Sequence, residues 1–391
     1  MVNPFRFARL PQIIFGCGKL PEIQSVIKNH GSSVILLTGK SSFINSSDGE
    51  LLLDALEGKK VRYKHIIVPG EPTPEMIDEA VSDCSNDEFS SVIAIGGGSV
   101  IDAGKAVSAM MYKTESVIEF LEVVGNKEHP GTKLPFIAVP TTSGTGSEAT
   151  KNAVLSRIGK DGFKRSLRHD NFVPDVALID PELTLGCPAV ITAASGMDCF
   201  TQLTEAFLSD KSNDYTDALA LEGLKQIKAS LKESYINGSN IEARTGMSFA
   251  AFTSGICLAN AGLGVVHGFA SSIGGLYNVP HGLVCGTLMA VSNEITVRKL
   301  RKTDVSGVAL DKYATLGKLF LGVRSKTDKY YVDGFIDYLH QMTSDLELAG
   351  LRRYGIEDKN IGIICSVTEN KNNPAKLDAG ELSEILQRRI I

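Results

Sequence analysis

The sequence has no excess of basic residues. Its 40 Lys and Arg are outnumbered by 45 Asp and Glu, for a formal net charge of −5, so the electrostatic footprint of a nucleic-acid-binding chain is missing. It has no long apolar run either. Stretches such as Phe136–Val139 fall far short of the ~20 residues that a membrane span requires. The segment from Met1 to Pro11 mixes Asn, Pro and two Arg without an apolar stretch, which argues against a secretory signal and for a cytoplasmic location. Cysteine is present but unorganised: positions 17, 84, 187, 199, 257, 285 and 365 make an odd count with no CxxC pair. Free thiols in a reducing compartment explain this better than a disulfide framework, and each cysteine reads first as a small buried hydrophobe. Histidine is sparse as well, at seven residues.

What is present describes a globular chain. Hydrophobic residues make up 43% and charged residues 22% of 391 positions, which removes disordered and fibrous classes. This length buries a full core without disulfide or metal staples. At ~150 residues per domain it predicts two domains or one large α/β domain. Strand-like runs occur at Ser33–Leu37, Val61–Val68, Ser91–Ile95, Phe136–Val139 and Val176–Ile179. Helical patterns separate several of them, including Pro74–Cys84 with proline in its first turn. Such alternation predicts a parallel α/β sheet. After Glu182–Leu183 helical periodicity dominates, with breaks at Asn237–Gly238–Ser239 and Asn278–Val279–Pro280. The expected division is an α/β domain over 1–183 and an all-helical domain over 184–391.

Two turns suit phosphate. Gly96–Gly97–Gly98–Ser99 sits where a strand hands over to a helix; backbone without Cβ approaches a pyrophosphate closely, and free N–H groups at the helix start face the anion. Asp102, expected in the first helical turn, is a candidate cofactor-binding residue, with helix-dipole stabilisation as the plainer alternative. Pro140–Thr141–Thr142–Ser143–Gly144–Thr145–Gly146–Ser147–Glu148 places five hydroxyls and two glycines after the next strand. Two such turns at neighbouring strand ends fit a nucleotide laid across an open sheet.

GGGSVIDAGK (96–105), PTTSGTGSEAT (140–150), DVALIDPEL (175–183) and GLGVVHGFASSIGGLYNVPHG (262–282) resemble the iron-dependent, or group III, alcohol dehydrogenase family. The similarity runs from Phe15–Gly16 to Asn373–Pro374. It implies a dinucleotide-binding α/β domain, a helical metal-binding domain, catalysis in the cleft between them, and commonly a dimer or larger assembly. Carried over position by position, it implies pyrophosphate contacts from Gly97, Gly98 and Ser99, and nicotinamide and ribose contacts from Thr141, Thr142, Thr145, Asn152 and Lys164. Lys164 has the plainer alternative of a surface cation.

The implied metal ligands are Asp198, Gln202, His267 and His281. Most relatives carry His at the position of Gln202. A carboxamide oxygen is a weaker ligand for iron or zinc than imidazole nitrogen, so the site either binds through that oxygen or binds metal loosely. Many relatives also have a proton-relaying His where Ser271 stands, and serine does not titrate near neutral pH. The implied reaction interconverts a small primary alcohol and its aldehyde by hydride transfer, the metal polarising the substrate oxygen. Rival readings are a metal-independent reductase of the maleylacetate reductase type, a relative of dehydroquinate synthase, and a nucleotide-binding pseudoenzyme or scaffold whose site has decayed.

Cofactor choice turns on Thr38–Gly39–Lys40–Ser41–Ser42. NAD-preferring relatives often place Asp at the Gly39 position, which repels a 2′-phosphate. Here no acid intervenes and Lys40 is free to pair with that phosphate. NADP is the expected cofactor, with NAD as the alternative. Gly39→Asp is expected to shift the ratio of kcat/KM values toward NAD; a wild-type enzyme with a strong NAD preference in side-by-side kinetics would refute the reading of this turn.

Overall fold

The computed structural model describes residues 4–303 and 307–391. The first half runs β1 (Gln12–Phe15), α1 (Ile23–His30), β2 (Ser33–Thr38), α2 (Ser47–Gly58), β3 (Arg62–Ile67), α3 (Pro74–Cys84), β4 (Ser91–Gly96), α4 (Gly98–Met110), β5 (Phe136–Pro140), β6 (Asn152–Arg157), β7 (Phe163–Arg168) and β8 (Val176–Ile179). The second half is helical: α5 (Ala189–Leu208), α6 (Asp214–Ile236), α7 (Ile241–Ala261), α8 (Val265–Leu276), α9 (His281–Thr303), α10 (Val308–Leu321), α11 (Asp328–Asp345), α12 (Ile361–Ser366) and α13 (Ala379–Gln387). The expected breaks fall between α6 and α7 and between α8 and α9. Among the described residues no single helix is long and apolar enough to cross a membrane.

Six strands form a parallel sheet in the order β1-β8-β5-β4-β2-β3. The central strands are near-continuous Val, Ile, Leu and Ala because both faces are covered. Val34, Leu36, Ile93 and Ile95 pack under α1 and α2. The alternate residues Ile35, Leu37, Val92 and Ala94 pack under α3 and α4. From β2 the chain continues outward to β3, whereas from β4 it continues the opposite way to β5. That reversal opens a crevice at the carboxyl ends of β2 and β4.

Two features were not legible in the sequence. β1 is only four residues long and finds its partner β8 from far along the chain, with Gln12 opposite Val176. β6 and β7 form an antiparallel hairpin outside the main sheet, with Ser156 opposite Lys164. Its charged residues hide the strand signal, yet Ala153, Leu155 and Leu167 are fully buried against the α3–α4 layer.

The hairpin is tied down by one buried cation. Lys105 on α4 is 1% exposed. Its Nζ donates to Ser147 O (2.9 Å), Ser147 Oγ (3.2 Å), Thr150 Oγ1 (3.1 Å) and Asn152 O (2.7 Å). Burial draws its pKa down to about 8, and the same burial pushes neighbouring Glu148 up to about 7. Asp102 stands 3.7 Å from Lys105 Nζ. Asp102 is not in the first turn of α4, as the sequence suggested, but beyond it. Its carboxylate accepts from the Ser147 hydroxyl and from Val154 N–H, so it braces the hairpin rather than the helix dipole. Lys105→Met would leave four acceptors and a buried carboxylate without their partner, at a cost of ~3 kcal/mol or more. Denaturant unfolding checks this, and a loss below about 1 kcal/mol would show the tie to be dispensable.

Candidate active-site cleft

The nucleotide side of the cleft begins with an open helix end. Helices α2 and α3 are capped by the side chains of Ser46 and Thr73. Helix α4 follows Gly97 with no side-chain cap, so its first N–H groups remain available to an anion. The second turn packs directly on it. A Cβ at Gly98 would lie 2.6 Å from Thr145 Oγ1, and one at Gly97 would lie 3.3 Å from Thr142 Oγ1. Gly146 has φ of +60° and faces the backbone of Ala251 and Gly255, where a Cβ would come within 2.4 Å, so the turn is pressed against α7.

Gly98, Ser99, Asp102, Thr145, Asn152, Lys164, Gln202, His267 and His281 all border one cleft of about 1060 Å³. Thr141 bonds Gly96 O through its N–H at 2.9 Å, at the end of β5. Gly39 and Lys40 continue β2, whose Thr38 is in register with Ile95 of β4. Thus Gly39, Lys40, Gly97, Thr141 and Thr142 lie at the same sheet edge but outside the cleft lining. Lys164 is no surface cation: its side chain is 8% exposed and meets Glu71 Oε1 at 2.5 Å. Burial pushes Glu71 up, but the Lys164 ammonium outweighs it and holds the carboxyl below its ordinary value.

The helical side carries a compact donor cluster. Asp198, Gln202 and Glu205 share one face of α5, and all three are buried. His267 lies in the first turn of α8, and His281 opens α9 immediately after Pro280. His267 Nε2 is 3.2 Å from Asp198 Oδ1, and His281 Nε2 is 3.7 Å from the same oxygen. Glu205 fixes the first ring: Oε2 is 2.7 Å from His267 Nδ1, while Oε1 accepts from Val266 N–H at 2.7 Å. A carboxylate on Nδ1 leaves Nε2 to face the cluster. Among the described residues, His281 Nδ1 is buried and meets no hydrogen-bond partner.

Two residues depart from expectation. The Gln202 carboxamide is already engaged, its Nε2 donating to Thr145 O (3.2 Å) and its Oε1 accepting from Ser254 Oγ (3.2 Å). A backbone carbonyl only accepts, so this orientation is set, and the oxygen faces Ser254. Cys285, which sequence reasoning passed over, completes the cluster. Its Sγ is 3.6 Å from His267 Nε2 and 3.8 Å from His281 Nε2. Asp198, His267, His281 and Cys285 each present a donor atom, all within 4.8 Å of one another. The available signal was that Cys285 follows His281 by one helical turn. Burial opposes ionisation of Asp198, but the histidines outweigh it and hold its pKa at about 2. Burial lowers His281 to about 4.

Profiles of the iron-containing alcohol dehydrogenase family match residues 11–181, and those of its C-terminal domain match residues 192–390. The chain belongs to the iron-containing alcohol dehydrogenase family. It is 34% identical over 269 residues to long-chain-alcohol dehydrogenase 1 of Geobacillus thermodenitrificans, covering 68% of this chain and 67% of that one. It is 28% identical to the NADPH-dependent butanol dehydrogenase of Clostridium saccharobutylicum, covering 98% and 97%. It is 27% identical to the sulfoacetaldehyde reductase of Bilophila wadsworthia, covering 90% and 88%. Among solved structures, an alcohol dehydrogenase from Oenococcus oeni superposes with a TM-score of 0.87 at 28% identity, covering 99% of this chain and all of that one. Membership makes the chain an NAD(P)-dependent alcohol/aldehyde oxidoreductase.

For this iron-type dehydrogenase the close contact of the two turns has a testable consequence. Gly98→Ala would drive a methyl group into Thr145 and disturb the bond from Ser147 N–H to Thr145 Oγ1 (3.3 Å). The expected cost is ~1–3 kcal/mol of stability. Unchanged thermal and denaturant midpoints would show that the turn yields freely.

Proposed function

We propose that the enzyme interconverts a small aldehyde and its primary alcohol with NADP, at a divalent metal held by Asp198, His267, His281 and Cys285. The observation that carries this reading is that the open end of α4 and the two histidines of the four-donor cluster, His267 and His281, border the same cleft. Residues 1–183 would hold the nucleotide and residues 184–391 the metal and substrate. The donor set suits the group: one carboxylate, two imidazoles and a thiol at mutual separations of a few ångströms, with His281 buried and unsatisfied at Nδ1. When bound, the metal supplies a Lewis acid at the substrate oxygen and the nicotinamide supplies or accepts hydride.

The chain's own residues do the positioning. Glu205 holds the His267 ring with Nε2 turned toward Asp198. Asp198 contributes the one formal negative charge on α5 that faces both histidines. Gln202 does not ligate in this reading. It links the phosphate-suited turn at Thr145 to α5, and so sets the distance between nucleotide and metal sides. Lys164, paired with Glu71, holds the β6–β7 hairpin against α8 beside Gly274. Ser271 donates to His267 O at 2.9 Å, so it offers no titrating relay. A thiolate ligand favours zinc over iron, because softer donors and the later metal are better matched.

The unpaired state of all seven cysteines supports a cytoplasmic location. The open edge strand β1, with Ile13 45% exposed, supports a homodimer. A second reading needs no metal. Burial disfavours the charged form of His267, but Cys285, Asp198 and Glu205 outweigh it and raise its pKa well above the ordinary value; a protonated ring would then donate to the substrate oxygen.

Metal loading decides between the two. Cobalt-substituted enzyme is expected to show a near-ultraviolet thiolate-to-metal absorption that Cys285→Ser removes, and that variant should bind zinc on the order of 100-fold more weakly in chelator competition. Full NADPH-dependent turnover with under about a tenth of a metal per chain would instead support the metal-free reading.

A further inference from the structure

Lys371 is the most unusual cation in the cleft. Six basic residues border it: Lys151, Lys160, Lys164, Arg165, Arg168 and Lys371. Lys151 pairs with Asp170, Lys164 with Glu71, and Arg168 with Glu122. Arg165 lies 3.9 Å from Glu369. Lys160 sits in the turn of the β6–β7 hairpin. Lys371 alone stands on the helical half, and among the described residues no carboxylate comes within 4 Å of its Nζ. Its side-chain bond is to a neutral group, Ser271 Oγ at 3.3 Å. Ser271 is one turn beyond His267 on α8 and bonds the His267 carbonyl. The ammonium therefore sits beside the donor cluster; burial disfavours its charge, and the carboxylates of Glu205 and Glu369 favour it.

The chain holds this lysine in place at a conformational cost. Lys371 has φ of +49°, a left-handed backbone that disfavours any side chain larger than glycine. The surrounding loop enforces it. The Asn370 side chain clasps the Leu377 backbone through both its donor and its acceptor (3.0 and 2.8 Å), and Asn372 N–H donates to Leu263 O at 3.0 Å. Thr368 and Ser272 hydroxyls join the loop to α8 at 2.7 Å. Ile363 and Val367 add an apolar wall to the same side of the cleft.

An ammonium in this position suits one kind of substrate. An uncharged alkyl chain entering the cleft would strip water from Lys371 and return nothing, whereas an acidic head group would replace that water with a charge-assisted hydrogen bond. The uncapped start of α4, which would take the cofactor's pyrophosphate, is on the other half of the molecule. We infer that Lys371 recognises an anionic head on the substrate, so that the preferred substrates are small aldehydes carrying a carboxylate, sulfonate or phosphonate. This rests on the aldehyde–alcohol reaction proposed above and names its substrate class.

The test uses purified full-length enzyme, NADPH and length-matched pairs: succinic semialdehyde against butanal, and sulfoacetaldehyde and phosphonoacetaldehyde against propanal. The wild-type enzyme should show kcat/KM at least ~10-fold higher for the anionic member of each pair. Lys371→Met keeps a non-glycine side chain on the same backbone. It should lower the anionic-to-uncharged ratio by ~10–100-fold, mainly through KM, and Lys371→Arg should restore part of it. The ranking of the three head groups identifies the anion. A wild-type preference for uncharged aldehydes, or a Met variant that loses all substrates equally through kcat with a shifted pH profile, would overturn the inference. If no aldehyde is reduced, the proposed reaction fails by itself. Calorimetry with butyrate and ethanesulfonate then carries the test: binding to the NADPH complex that Lys371→Met abolishes supports Lys371, and equal or absent binding refutes it.

Discussion

A single buried ammonium organises the nucleotide half. Lys105 is buried away from solvent and meets four oxygens from the segment 147–152. A buried cation tolerates such a place only when its donors are all used, so this segment has one arrangement open to it. The consequence reaches further than the hairpin. Just before this segment stand Thr145 and Gly146, which touch Gly98 on one side and α7 on the other. Thr145 O then accepts from Gln202 on α5. One desolvated charge thus links the Gly-rich turn, the hydroxyl-rich turn and the helix that carries Asp198.

The helical half solves a different electrostatic problem. Asp198, Glu205, His267, His281 and Cys285 are gathered where burial penalises charge, and they are compatible only because acids alternate with bases. Glu205 holds one ring nitrogen of His267 and Asp198 faces the other. One turn beyond Asp198, Gln202 has both ends of its amide bonded. The amide was recruited as a strut between the halves, and the thiol of Cys285 stands one turn beyond His281 on the rim of the same cluster.

Much of the molecule was legible beforehand. Five of the six strands of the main sheet, the helix Pro74–Cys84 and the breaks near Asn237 and Pro280 follow from apolar periodicity and from proline and glycine, which act locally. The two turns could be read from composition alone, because tight backbone approach leaves a glycine and hydroxyl signature. The edge strand β1 and the β6–β7 hairpin were hidden. Their stability comes from partners distant in sequence, and the alternation of Lys164, Arg165 and Arg168 with buried neighbours obscures an apolar pattern.

The sequence by itself determined the class of fold, the family, and the residue types that phosphate and metal chemistry require. It did so because those features depend on neighbours within a few positions or on motifs of fixed spacing. Tertiary structure alone decided which side chains work together. Asp102 became a brace and Lys164 a buried partner of Glu71. Gln202 turned its oxygen to Ser254, while Cys285 joined the histidine cluster and Lys371 the cleft wall without any motif to announce them. Each of those outcomes depends on burial and on contacts between residues far apart in the chain, where the loss of water decides which charges and hydrogen bonds survive.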